Sequence, residues 1–96
     1  MVQQIIVKTQ NSETMRPLLR SALQREIKLL EQGLRRTRAR LADFEKRYNM
    51  STAEFLRRFT KDDLGETLDF IDWYGETKMV ASLFDQKKAI ESTVVP

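Results

Sequence analysis

Two side chains central to much enzymatic chemistry are missing from this chain of 96 residues, which contains neither cysteine nor histidine. Thiolate nucleophiles, disulfides, cysteine or histidine metal ligands and an imidazole general base are thereby excluded. Carboxylates and arginines remain. Asp62, Asp63, Glu66, Asp69, Asp72 and Glu76 form an acidic run with no basic residue from Asp62 to Thr77, a local charge of −6. Asp69, Asp72 and Glu76 fall at i, i+3 and i+7, one face of a helix. That face could approach a magnesium-bound phosphate. The run lacks the Asp-x-Asp-x-Asp-Gly pattern of a calcium loop, however, and its neighbours are aromatic rather than oxygen-rich. Nothing nearby offers an oxyanion donor or a substrate pocket. The sequence therefore predicts no enzyme, no metal and no cofactor.

The aromatic neighbours suggest a different task. Asp69, Phe70, Asp72, Trp73 and Tyr74 combine large anchors with a charged rim, the usual composition of an interface for a basic partner. The competing reading places Phe70, Ile71 and Trp73 in the core and pairs the acids with the chain's own bases. Those bases are plentiful: Arg16 to Lys61 contains thirteen Lys/Arg against five acids, a charge of +8. Arg35, Arg36, Arg38, Arg40, Arg57 and Arg58 are the candidates for nucleic-acid phosphates, with a solvated helix surface as the plainer alternative.

These residues need elements to position them. Leu23, Ile27, Leu30, Leu34, Thr37, Leu41, Phe44 and Tyr48 recur at alternating spacings of four and three. This is a heptad seam and predicts a helix over 14–48, with Pro17 in its first turn. About 35 helical residues span roughly 50 Å, longer than a small domain is wide, so an elongated molecule is expected. The seam must be covered by the downstream helix, by a second copy of the chain, or by both. A homodimer is the expected outcome. Leu68, Ile71, Met79, Val80, Leu83, Phe84 and Ile90 predict a second long helix over 67–91. Residues 2–9, rich in β-branched side chains, predict a short strand. Its Ile5, Ile6 and Val7 could add to the edge of a partner's sheet. The opening MVQQIIVKTQ has neither a charged leader nor a long apolar core, and no run approaches a membrane span. A cytoplasmic location is expected, with no membrane or small-molecule partner.

Between the two long helices, Tyr48-Asn-Met-Ser-Thr-Ala-Glu-Phe55 stops one helix and starts another over 52–61. Ser51 and Glu54 have capping-box spacing, and Met50 and Phe55 occupy the positions of a hydrophobic staple. The spacing predicts reciprocal bonds, serine to the Glu54 N–H and glutamate back to the Ser51 N–H. A DNA-reading helix-turn-helix would present the first turn of its second helix to base edges. Here that turn offers Thr52, Ala53 and Glu54, while Arg57, Arg58 and Lys61 come late. The restart reads as a corner leading into an acidic loop at 62–66.

Phe44-Glu-Lys-Arg-Tyr48, Met50-Ser-Thr-Ala-Glu-Phe55, Phe59, Leu64-Gly-Glu66, Asp69-Phe-Ile-Asp-Trp73 and Gly75-Glu-Thr-Lys-Met79 stand in an order that resembles a known family. The chain looks like the TumA-like antitoxins, small helical prokaryotic proteins encoded beside a TumE-type toxin. The resemblance covers most of the chain. Where members often read Gly-Glu-Leu after the short helix, this chain has Lys61-Asp62-Asp63-Leu64. The resemblance implies a non-enzymatic protein that binds and neutralises a small cognate toxin, and it adds operator DNA as a further partner through autoregulation. The expected fold is mainly α: one domain over 1–96 with a strand, a long helix, a short helix and a third helix before a tail at 92–96. The alternatives are a basic helical DNA- or RNA-binding regulator and a scaffolding coiled coil.

Overall fold

A computed structural model describes residues 12–93 of the chain. The described residues are mainly helical and contain three helices, α1 (Ser12–Tyr48), α2 (Thr52–Thr60) and α3 (Leu68–Glu91), with no strand among them. The expected strand at 2–9, with Ile5, Ile6 and Val7, lies outside the described residues. Helix α1 begins two residues before the expected position, which places Pro17 in its second turn rather than its first. The molecule is elongated, measuring 59 × 21 × 18 Å.

Helix α3 folds back antiparallel along α1, and the pairing can be followed through named contacts. Near the corner, Tyr48 meets Phe70 with ring centroids 5.1 Å apart. Further along, Arg40 Nη1 donates to Glu76 Oε1 at 2.9 Å. Beyond that, Lys87 Nζ lies 3.5 Å from Glu31 Oε2. The α1 seam is covered by this intrachain partner, and Leu30, Leu34 and Thr37 are each no more than 5% exposed. The downstream helix thus covers this stretch of the seam from within the chain, while Leu23 and Ile27 stay half-buried beside Ile90. Gly33 belongs to the same packing. A Cβ placed there would stand 3.2 Å from Leu83 Cδ1, so the glycine admits the leucine at close range.

The short helix is a bracket at one end of the α1–α3 hairpin. Phe55 and Trp73 are fully buried and stack with ring centroids 4.0 Å apart and planes within 3°. Phe44 stacks on Trp73 at 5.5 Å, and Phe59 on Phe55 at 5.1 Å. Aromatic pairs at such separations add about 0.5–1.5 kcal/mol each beyond their burial. The Trp73 indole N–H donates to Thr52 Oγ1 at 3.2 Å, which ties the core of α3 to the first residue of α2. Burying a tryptophan in so thin a molecule is tolerated because its polar atom finds a partner.

Local chemistry sets both corners. Helix α1 stops at Tyr48, before Asn49, whose φ of 50° is the left-handed conformation asparagine tolerates. Ser51 caps α2, its Oγ accepting from the Glu54 N–H at 3.1 Å. The second half of the expected capping box is different. The Glu54 carboxylate turns to Arg57 Nε at 3.0 Å and Arg58 Nε at 3.1 Å. A different acid supplies the second cap: Glu45 Oε2, on the last turns of α1, accepts the Thr52 N–H at 2.7 Å. Helix α2 closes with the Asp62 N–H on Phe59 O and the Asp63 N–H on Arg58 O, at 3.1 and 3.0 Å. This is a Schellman pattern in which Asp62, at φ 59°, holds the position glycine usually takes. Thr67 stands outside α3 as its cap, accepting the Phe70 N–H at 3.1 Å.

Candidate functional site

The segment from Asp69 to Tyr74 enters the first two turns of α3, and the helix distributes its members among three surroundings. Trp73 faces inward and is fully buried, so the indole is a core residue and not a contact for a partner. Phe70 and Tyr74 are half-buried. The Phe70 ring lies 5.6 Å from Phe55, and the Tyr74 ring 5.4 Å from Phe59. Lys78 Nζ stands 5.0 Å over the Tyr74 ring, covering its outer side. Three of the five residues chosen as partner contacts are thus drawn into packing; the core alternative holds for Phe70 and Trp73, while its third member, Ile71, is 49% exposed.

Asp69 is occupied within the chain. Its Oδ2 accepts from the Tyr48 hydroxyl and from Arg47 Nη1, the latter at 3.0 Å. The hydroxyl bond, followed by the guanidinium, holds the Asp69 carboxyl below its ordinary range. Arg47 also reaches Asp43 at 3.0 Å, so the cluster joins the end of α1 to the start of α3. Asp72 differs. It is exposed and forms no ion pair within 4 Å among the described residues.

The six arginines considered for nucleic acid separate in the same way. Arg40 pairs with Glu76, while Arg57 and Arg58 share Glu54. Those two guanidiniums, Arg57 first, pull the Glu54 carboxyl from an ordinary 4.5 to about 2. Arg35, Arg36 and Arg38 are exposed and have no ion pair among the described residues. At 100° per residue Arg35 and Arg38 share one side of the rod and Arg36 points to another, so the three do not form a single track for a phosphate backbone.

Four of the apolar residues whose spacing predicts α3 point outward. Leu68 is 82% exposed, Ile71 49%, Met79 51% and Phe84 46%. Leu68, Ile71 and Met79 fall on one side of the helix with Gly75 between them, where an added Cβ would meet nothing within 4 Å. A signal for this was present in the sequence, since the first half of α3 is apolar on more faces than one seam can use. Beside this stripe runs a groove of about 650 Å³ lined by Arg40, Ile71, Asp72, Gly75, Glu76 and Met79.

At the corner end, Asp62, Asp63 and Glu66 are exposed in the loop that leads to Leu68, and they too form no ion pair within 4 Å among the described residues. Among the described residues no group of three acids converges as metal ligands would, and no helix is long and apolar enough to cross a membrane. No family model, characterised protein or solved structure matches the chain.

Proposed function

We propose that this protein is an antitoxin-like binding module that captures and neutralises a small basic toxin encoded beside it. The observation that carries the reading is Leu68. It is the most exposed large apolar side chain of the described residues, and it follows closely on Asp62, Asp63 and Glu66, which form no ion pair among the described residues. An apolar anchor rimmed by unpaired acids suits a partner with a basic surface, such as a toxin that acts on RNA and must attract phosphates. The surroundings favour recognition by a pre-formed surface. The Phe55–Trp73 stack braces the corner, and the two backbone bonds of the Schellman turn at Asp62 fix where the loop begins. Asp72, one turn after Leu68, borders this surface.

The family resemblance of the Asp69-Phe-Ile-Asp-Trp73 and Met50-Ser-Thr-Ala-Glu-Phe55 motifs supports the same role. The aromatic members of those motifs serve the corner, and the neighbouring loop and Leu68 make the contact. Autoregulation through operator DNA belongs to the proposal only by way of the resemblance.

Co-expression tests it. Production of the adjacent gene's product alone should arrest growth, and this chain should relieve the arrest. Leu68→Asp combined with Asp62→Asn, which keeps the left-handed turn, and with Asp63→Lys and Glu66→Lys should abolish the relief while leaving helicity unchanged. A harmless neighbour, or full relief by the quadruple variant, refutes the proposal.

A further inference from the structure

Gly33 and Gly75 both interrupt long helices, where glycine is the least favourable residue short of proline. Gly33 has an intrachain reason, the Leu83 side chain packed against it. Gly75 has none among the described residues, since its missing Cβ faces open space. A close approach from outside the chain supplies the reason.

We propose that a second copy of this chain packs on the outward face of α3, antiparallel to the first, about a two-fold axis level with Gly75. Ile71 and Met79 lie four residues on either side of Gly75 and are about equally exposed, at 49% and 51%. A two-fold at Gly75 exchanges these levels, so each copy's Ile71 packs beside the partner's Met79, and the paired glycines let the backbones approach. The contact is isologous and closes at two copies.

Charge complementarity selects the same operation. Asp72 and Glu76 lie one turn apart on one edge of the stripe, and Arg40 reaches that edge by its 2.9 Å bond to Glu76. The Arg40 side chain is still 59% exposed and has donors to spare. The two-fold keeps the edge and reverses its direction. The partner's Arg40 therefore arrives between the levels of Asp72 and Glu76, next to the one carboxylate of the groove that has no ion pair among the described residues. Each groove then keeps its own Arg40 on Glu76 and gains the second copy's arginine beside Asp72. This pairing does not require the toxin-binding reading; it shares Leu68 and Asp72 with that surface, so the two contacts compete there, and it leaves Asp62, Asp63 and Glu66 uncovered.

Light scattering coupled to size exclusion, over a dilution series of the full chain, reads the assembly directly. The expected mass is twice the 11.3 kDa of one chain. Gly75→Gln, which is compatible with the helix and whose Cβ meets no intrachain atom within 4 Å, should return the mass to one chain with helicity retained. Asp72→Lys should weaken the pair, and adding Arg40→Glu should restore it. The chain has no native cysteine, so Ile71→Cys and Met79→Cys variants should cross-link on oxidation when mixed, and each much less when alone. A single-chain mass at every concentration overturns the proposal. A dimer that survives Gly75→Gln, or cysteines that cross-link equally well alone and mixed, overturns it as well.

Discussion

Trp73 is the residue whose substitution most sharply separates packing from recognition. Replacement by alanine removes a fully buried indole stacked 4.0 Å from Phe55 and 5.5 Å from Phe44, together with its bond to Thr52. Large aromatic to alanine changes in a core cost about 3–5 kcal/mol. A chain of 96 residues has a total stability of roughly 5–14 kcal/mol. One substitution thus consumes a large part of the margin, because only four apolar side chains are buried in the described core. Urea unfolding followed by far-ultraviolet circular dichroism at one fixed chain concentration measures the effect. With a slope near ~1 kcal/mol/M, the midpoint should fall by about 3 M or more, or the variant should be unfolded without urea. Trp73→Phe keeps a ring in the stack and loses the indole N–H, so it should cost about 1–2 kcal/mol. Any loss of partner binding by Trp73→Ala should track its loss of helicity. A well-folded Trp73→Ala that has lost under ~1 kcal/mol would refute the assignment of this residue to the core.

The two helical glycines should respond differently to alanine. Gly75→Ala should stabilise the isolated chain by about 1 kcal/mol, while Gly33→Ala should gain little, because its new Cβ at 3.2 Å makes Leu83 yield; thermal melts of both at equal concentration check this. Ser51→Ala removes the only side-chain acceptor of the Glu54 N–H among the described residues and should cost about 1 kcal/mol in the same assay. Stability should also fall in acid through Glu54 and Asp69, whose carboxyls are held below their ordinary values by Arg57 with Arg58 and by Tyr48 with Arg47, respectively. A lowered folded-state value means the contribution is complete above about 4.5 and is lost as pH falls toward about 2. Melting midpoints across that window should drop, less steeply in Glu54→Gln, and a flat profile would contradict the ion-pair geometry.

The helical content, the restart at Ser51 and the rod-like proportions were legible because they depend on local signals. The four-three spacing from Leu23 to Tyr48, the serine cap and the apolar periodicity of α3 act within a few residues of one another, and a sequence displays such neighbours directly. Cap partners were less legible. Glu54 has capping-box spacing, yet Arg57 and Arg58 at i+3 and i+4 bind its carboxylate, and Glu45 takes over from the preceding helix.

The site divided along the same line. The sequence by itself determined that α3 begins with more apolar and acidic side chains than a single seam requires. It also determined that a +8 segment precedes a −6 segment. Only the tertiary structure decided which side chain of each kind is consumed by packing. Trp73 and Leu68 are both apolar members of one helix, but the angle at which α3 lies on α1 and α2 buries the first completely and leaves the second 82% exposed. Asp69 and Asp72 are likewise alike in sequence, and the position of Tyr48 and Arg47 at the end of α1 ties up Asp69 while Asp72 stays free of ion pairs among the described residues. A helix rotates successive residues by 100°, so a shift of one position exchanges core for surface. That rotation relative to a neighbour is set by long-range contacts, which the order of residues does not spell out.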